Sequence, residues 1–214
     1  MNSIAIDHLV IAASTLEEGA LFVQKVLGVA PQPGGKHERM GTHNCLLKLG
    51  VKLYLEIIAI DPDAAPPSQP RWFALDSPYM RAQLREGPRL ITWVARTADI
   101  EQRAAESVQP LGAVHLMRRG SFEWKMTIPE DGHLPGGGLV PTLIEWQGKQ
   151  HPADAMVESG CLLQALGGAH REPDRIRRAL ASLDLTGSMP VCYGASPRLA
   201  ARIVTPFGVR TLSS

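Results

Sequence analysis

Three residues within apolar segments have the side-chain types of a catalytic or metal-binding site. His8 lies between Ile6 and Val10, and Glu56 and Glu145 interrupt two further apolar runs. A charge inside an apolar strand is costly unless it is paired, hydrogen-bonded or bound to a metal. Imidazole and carboxylate groups together suit a divalent cation such as zinc, manganese, nickel or iron, and three protein ligands leave positions open for water and substrate.

Each of these residues also has an ordinary structural interpretation. A strand histidine is often a hydrogen-bonded core residue, and a strand glutamate often forms a buried salt bridge with an arginine such as Arg118 or Arg119. Taken singly, the residues therefore decide little. Their recurrence at equivalent places in a duplicated unit is what favours a shared pocket.

The secondary-structure elements that must position these residues occur twice along the chain. Residues 4–11 form an apolar run rich in β-branched residues, and Ser14 or Thr15 then supplies a cap for a helix that ends at Leu27-Gly28. The same order recurs at an offset of 84 residues, with a second helix ending at Leu111-Gly112. The strands that carry Glu56 and Glu145 align at an offset of 89. If the two units pack edge to edge as a curved sheet, His8 and both glutamates point into one cup.

The repeat divides the chain into four segments. We expect a first module at residues 1–62, a connecting loop region at 63–88, a second module at 89–150 and a looser third version at 151–214, which has one helix and shorter strands. The fold class is therefore α+β. The third module lacks polar residues at the glutamate positions, so we expect it to add packing area or an oligomer surface.

Further polar and aromatic residues lie close to these strands. His43 opens the strand directly before the Glu56 strand and is a candidate acid/base group or substrate donor, or a turn histidine that fixes its loop. Arg118, ahead of an aromatic strand that contains Trp124, suits a carboxylate clamp, or is a solvated loop charge. Tyr54 and Trp124 suit the apolar walls of a ligand pocket.

Composition limits the classes of partner. Lys and Arg number 22 against 21 Asp and Glu, a net charge of +1, so nothing favours nucleic acid or an anionic membrane surface. No apolar stretch reaches the roughly 18 residues of a membrane span, and the first residues resemble no signal peptide, so we expect a cytoplasmic protein. A strand follows the glycines at 136–138, where a phosphate-binding loop would need a helix, so no nucleotide cofactor is expected.

Several short motifs, in order, carry a resemblance to a known family. The sequence resembles the glyoxalase-like domain proteins of the vicinal oxygen chelate superfamily. The resemblance rests on these segments: Ile6-Asp7-His8-Leu9-Val10, Gly41-Thr42-His43-Asn44, Leu55-Glu56, and Leu139 to Trp146 followed by His151-Pro152.

The resemblance implies a fold, a metal and a class of chemistry. It implies tandem βαβββ modules whose sheets form a cupped half-barrel, with a C-terminal βαββ-like extension. A divalent metal would be bound by a histidine on each first strand and a glutamate on each last strand, which maps to His8, Glu56 and Glu145. The second histidine position falls on Thr92, a poor ligand, which we expect to contact the substrate instead. The metal would then be held by three groups at most, or by His43 in place of the missing ligand, or not at all. The family's reactions include those of lyases, isomerases, epimerases and ring-cleaving dioxygenases, and a homodimer is the default assembly.

Three hypotheses follow for function. In the first, His8, Glu56 and Glu145 hold a divalent metal that a small oxygenated metabolite chelates, while His43 or a displaced Glu145 moves a proton in a lyase or isomerase reaction. In the second, a metal-free binding or sequestering protein uses the same cup, with Arg118 as the anion anchor. In the third, the site is degenerate and the chain is an interaction module, which predicts paired glutamates and no open pocket.

Overall fold

Two βαβββ units and the segment that joins them make up the first part of the chain. The computed structural model describes residues 4–214, so the first three residues of the predicted first module lie outside it. The first unit comprises β1 (Ala5–Ala12), α1 (Leu16–Leu27), β2 (Gln32–His37), β3 (Thr42–Gly50) and β4 (Leu53–Ile60). The joining segment contains α2 (Pro78–Glu86). The second unit comprises β5 (Arg89–Arg96), α3 (Ile100–Glu106), β6 (Ala113–Arg119), β7 (Phe122–Ile128) and β8 (Thr142–Trp146).

The two units form one curled sheet of eight strands. The strand order is β2-β3-β4-β1-β5-β8-β7-β6, and β1 pairs antiparallel with β5 at the centre. In this pair His8 lies opposite Val94 and Val10 lies opposite Thr92, which is the arrangement that an internal repeat with an offset of 84 requires. The predicted α+β fold with a cupped half-barrel sheet is confirmed.

Local signals in the sequence explain where the helices begin and end. The Thr15 hydroxyl accepts a hydrogen bond from the backbone N–H of Glu18, and Gly28 ends α1 with a φ of 78°. The prediction for the second helix was too long. It ends at Glu106 rather than at Leu111-Gly112, and residues 107–112 are irregular.

Alternate residues of the central strands face two different cores. Leu9 and Ile11 of β1 face the outer, convex core together with residues of α1, α3 and the C-terminal sheet. Val10 and Ala12 face the concave side. The joining segment covers that side, because its Trp72 and other apolar side chains pack there. The predicted connecting loop region thus fills much of the cup.

The C-terminal part of the chain forms a second sheet against the convex side. It comprises α4 (Pro152–Ala155), β9 (Leu162–His170), α5 (Pro173–Ser182), β10 (Val191–Tyr193), β11 (Arg198–Thr205) and β12 (Gly208–Ser213). The order β10-β9-β11-β12 differs from that of the first two units, because β9 pairs parallel with β10 and antiparallel with β11. It has one strand more than the expected βαββ extension. No helix in residues 4–214 has the length and apolar character needed to cross a membrane.

Candidate functional site

A small cavity, lined mostly by buried side chains, lies on the concave side of the sheet, near its centre. Its volume is about 20 Å³, close to that of a single water site. The polar residues that line it are His8, His37, Asn44, Glu56 and Arg119. Its walls are mainly aromatic and apolar: Tyr54, Trp72, Phe73, Trp124, Met126, Ile144 and Trp146.

A buried carboxylate fixes the orientation of His8. Asp7 is fully buried, and its Oδ1 lies 2.6 Å from Nδ1 of His8. The pairing of β1 with β5 shifts register between Ile6 and His8, so Asp7 occupies a β-bulge. A bulge re-aims side chains, and here it lets two adjacent residues serve one site.

Three hydrogen bonds converge on the Asp7 carboxylate. Besides His8, Trp146 donates its indole N–H to Oδ2 at 2.9 Å, and His151 Nε2 lies 3.0 Å from the same oxygen. Burial acts to raise the pKa of Asp7, but hydrogen bonds from His151 and His8, and their charges, hold that pKa well below its usual range. Asp7 is therefore ionised and accepts the Nδ1 proton of His8, which leaves Nε2 free to exchange a proton.

The free nitrogen of His8 faces Glu56. His8 Nε2 lies 3.6 Å from Glu56 Oε2, and both side chains are buried. Tyr54 stacks on the His8 ring at a centroid distance of 4.5 Å, which restricts rotation of the imidazole. Asp7, His8 and Glu56 thus form a continuous polar chain that ends at the cavity.

An amide joins Glu56 to a cation. Asn44 donates to Glu56 Oε1 at 2.6 Å, and its own carbonyl oxygen accepts from Arg119 Nη1 and from the backbone N–H of Gly35, each at 2.9 Å. A Cβ on Gly34 would lie 2.1 Å from Asn44 Oδ1. Strand β2 can pass this close only because glycines stand here, which places Asn44 and Arg119 at the site.

His37 and Tyr54 are neutral groups of the cavity. Burial lowers the pKa of His37 to about 4, against a smaller opposing effect of Glu56, and the charge of Arg119 lowers it further. The His37 Nε2 atom lies 3.9 Å from Glu56 Oε1. Burial raises the pKa of Tyr54 well above its usual value. Near pH 7, therefore, neither His37 nor Tyr54 is an ionised group of the cavity.

A short turn of the joining segment lines the cavity. Trp72 and Phe73 are each 3% exposed, and Phe73 and Ala74 adopt φ values of 58° and 56°, which residues other than glycine rarely adopt. The indole Nε1 of Trp72 is buried and has no hydrogen-bond partner among the described residues. A strained turn with an unpaired donor at a cavity is typical of a functional position.

The prediction that Glu145 enters the cup is wrong. Its Oε2 accepts the backbone N–H of Ile100 at the start of α3, which lies on the convex side. Val10 pairs with Glu56 and the equivalent Val94 pairs with Thr142, so the residue equivalent to Glu56 is Thr142. The true offset at this strand is 86 rather than 89, and an odd error moves a side chain to the opposite face. Glu145 is neither a metal ligand nor a catalytic group of this cavity.

Three other predicted site residues also lie outside the cavity. His43 faces the convex side, where it lines an open groove of about 650 Å³. Thr92 is buried and its hydroxyl donates to the backbone carbonyl of Gly138 at 3.2 Å, so it is unavailable to a substrate. Arg118 is exposed and pairs with Glu123. The next residue, Arg119, takes the position expected for Arg118, because alternate residues of a strand face opposite sides.

The structure brings together four of the predicted residues and adds others. His8, Glu56, Tyr54 and Trp124 line the cavity. The residues that sequence reasoning did not assign are Asp7, His37, Asn44, Arg119 and His151. The adjacency of Asp7 to His8 and the Gly34-Gly35 pair opposite β3 could have indicated two of these positions. His37 ends a Pro/Gly-rich strand without apolar periodicity, and His151 follows a loop.

The residues do not fit the metal that the family resemblance implies. Of its four ligand positions, two hold His8 and Glu56, and the other two hold Thr92 and Thr142. Within residues 4–214 no group of three His, Cys, Asp or Glu side chains could hold a metal ion. Instead, one oxygen of Glu56, Oε1, accepts a hydrogen bond from the Asn44 amide.

Comparisons with known proteins agree with this architecture. The family model described as "Glyoxalase-like domain" matches residues 6–183. The chain is similar in structure to a hypothetical protein from Staphylococcus aureus, with 11% identity, a TM-score of 0.62, and coverage of 91% of this chain and 88% of that one. A methylmalonyl-CoA epimerase variant from Streptomyces coelicolor, in complex with 2-nitronate-propionyl-CoA, has 18% identity, a TM-score of 0.43, and coverage of 69% and 98%.

The likeness to the Staphylococcus aureus protein shows the fold alone. Methylmalonyl-CoA epimerase from Mycobacterium tuberculosis matches with 16% identity, a TM-score of 0.41, and coverage of 68% of this chain and 88% of that one. No curated protein matches the sequence. The match to the family model spans most of the chain, and its first two units have the duplicated βαβββ arrangement. The chain therefore belongs to the glyoxalase-like domain family.

Proposed function

We propose that this protein catalyses proton transfer on a small oxygenated metabolite, in a reaction of the lyase or isomerase type. The observation that carries the proposal is the buried chain Asp7–His8–Glu56 at the cavity. Asp7 accepts the Nδ1–H of His8 and so orients the imidazole, as the carboxylate of a catalytic triad does. His8 Nε2 and Glu56 Oε2, 3.6 Å apart, are the acid and base that a carbon acid next to a carbonyl would meet.

The small cavity supports chemistry in a site shielded from water. It is too small for a whole metabolite, so only the reacting oxygen and its carbon enter, and the turn at Trp72 must shift to admit them. Aromatic walls exclude water and strengthen electrostatic interactions with a developing enolate. A homodimer and a cytoplasmic location remain further proposals, which sedimentation analysis and cell fractionation would test.

A metal-dependent reaction, with zinc, manganese, nickel or iron, is the second candidate. One observation favours it: Asp7 binds Nδ1 of His8, which is how metal-ligating histidines are commonly oriented. Only two of the four family ligands are present, however. We therefore assign the proton transfer to the chain's own side chains.

The experiment is hydrogen exchange in D2O, followed by NMR, on a panel of 2-hydroxy ketones, 2-oxo acids and 3-oxo thioesters. We expect exchange at the carbon next to the carbonyl, reduced by about 100-fold or more in His8→Gln and in Glu56→Gln. Glu145→Gln is the matched control, since Glu145 lies on the convex face and should leave exchange unchanged. Binding without exchange by any compound would instead support a metal-free binding or sequestering protein, our alternative from sequence. Equal loss in Glu145→Gln would contradict the proposed site.

A further inference from the structure

Arg119 lies at the boundary between the small cavity and an open cleft. It lines the cavity, and it also lines a cleft of about 520 Å³ that runs between β2, the turn after β6 and α4. That volume is in the range of clefts that bind small molecules. The cleft therefore adjoins the cavity at Arg119.

The guanidinium of Arg119 forms no ion pair among the described residues. Arg119 Nη1 donates a hydrogen bond to the neutral Asn44 carbonyl at 2.9 Å, and that amide separates the guanidinium from the Glu56 carboxylate. Two other charged residues line the cleft. Lys36 is already paired with Asp61, and Glu38 has a negative charge. A half-buried arginine with one neutral partner retains donors for a planar anion.

The backbone around Arg119 fits its side chain closely. A Cβ on Gly35 would lie 3.0 Å from Arg119 Cδ, so a larger residue there would displace the guanidinium. The cavity also holds the unpaired Nε1–H of Trp72. Trp72 Nε1–H has no partner among the described residues, and Arg119 has one neutral partner. Two donors with unused capacity favour a ligand that carries an acceptor.

We propose that Arg119 binds an anionic group of the substrate, a carboxylate or a phosphate, at the junction of the cleft and the cavity. The anion lies in the cleft, and the oxygenated end of the same molecule reaches the cavity, where Trp72 Nε1–H donates to its oxygen. Arg119 is then a residue that determines specificity. This inference rests on the proposed function for the reacting end, whereas the anion site stands independently.

The test compares the full-length protein with Arg119→Gln and Arg118→Gln. These variants remove the same charge from adjacent residues, and Arg118 is a surface group that pairs with Glu123. Malonate and inorganic phosphate are titrated separately at constant ionic strength, and binding is followed through tryptophan fluorescence and backbone NMR shifts. We expect Arg119→Gln to weaken binding of the preferred anion at least tenfold, and Arg118→Gln by less than twofold. Whichever of the two anions binds more tightly identifies the group.

Three results would overturn the proposal: no binding of either anion to the unmodified protein, equal binding by Arg119→Gln, or equal losses in both variants. The binding assay needs no turnover, so it separates this inference from the proposed function. Lost anion binding in Arg119→Gln, with no compound undergoing exchange in D2O, would keep the anion site and reject proton transfer. If exchange occurs, Arg119→Gln should raise KM more than it lowers kcat for an anionic substrate.

Discussion

At the scale of the residue, the orientation of His8 depends on its neighbour Asp7, which does not line the cavity. Asp7 accepts hydrogen bonds from two histidines and a tryptophan, and it has no exposed surface. An amide in its place would bring an N–H against one of these donors. We predict that Asp7→Asn destabilises the protein by about 3 kcal/mol and lowers exchange by at least tenfold.

Urea unfolding and the D2O assay measure both effects. Asp63→Asn is the control, because the Asp63 side chain is 86% exposed and its Oδ2 lies 4.0 Å from Lys36 Nζ, which is a weak contact. That variant should leave stability within about 0.5 kcal/mol. A stable Asp7→Asn protein with full exchange would show that the carboxylate does not orient His8.

His37 gives a prediction for the pH dependence of stability. Its pKa is about 4 in the folded protein, below the usual 6.5, so the unfolded chain binds more protons between these values. Stability must therefore fall as the pH is lowered from 6.5 to 4, by about 3 kcal/mol from this residue. The contribution of Asp7 has a different window, since its lowered pKa removes stability only below the usual range of an aspartate.

Urea unfolding at pH 7, 5.5 and 4.5 tests whether His37 causes this loss of stability. His37→Gln should be less stable at pH 7 but should lose less stability on acidification than the unmodified protein. A parallel pH dependence in the two proteins would mean that His37 is protonated in the fold.

At the scale of the element, register decides which residues meet. The repeat at an offset of 84 correctly aligned β1 with β5. Side-chain alternation along the strands correctly placed His8 and Glu56 at one site. Alignment by the repeat failed at Glu145. The expected offset of 89 differs from the true offset of 86 by three residues, an odd number, so the side chain lies on the opposite face. Arg118 and Arg119 show the same limit, since only strand pairing tells which of two adjacent arginines points inward.

The close passage of β2 over Asn44 gives a prediction at this scale. A methyl group on Gly34 would lie 2.1 Å from the Asn44 side-chain oxygen and 2.8 Å from its backbone oxygen. The strands must separate to accept it, so we expect Gly34→Ala to cost about 1–3 kcal/mol and to release Asn44 from Glu56. Exchange should fall with it.

Gly187→Ala is the control for this substitution. A Cβ on Gly187 would have no atom within 4 Å, so thermal unfolding of that variant should match that of the unmodified protein. If Gly34→Ala were equally harmless, the close approach of β2 would not be what positions Asn44.

At the scale of the whole molecule, the fold is held from both sides of the sheet. The joining segment fills the concave side, and the C-terminal sheet shares the convex core with β1 and β5 through residues such as Ile203 and Leu212. His151, which follows the second unit, returns to hydrogen-bond Asp7. The duplicated sheet was predictable from the repeat, but the filling of the cup was not, because residues 63–77 have no periodic pattern.

This packing predicts that the C-terminal segment is required for folding. Removal of residues 151–214 would expose the convex core and take His151 from Asp7. We expect the truncated chain to aggregate or to lose its cooperative urea transition, whereas the full chain unfolds in one transition. A truncated chain with native-like stability would show that the C-terminal sheet is an independent addition.

The most direct test of the central claim, that Asp7, His8 and Glu56 transfer a proton without a metal, is exchange in D2O after exhaustive chelation, with metal content measured on the same sample. We predict that exchange on the best compound of the panel persists when bound metal is far below one ion per chain, and that Glu56→Gln abolishes it. Exchange that is lost on chelation and restored by zinc, manganese, nickel or iron would contradict the claim.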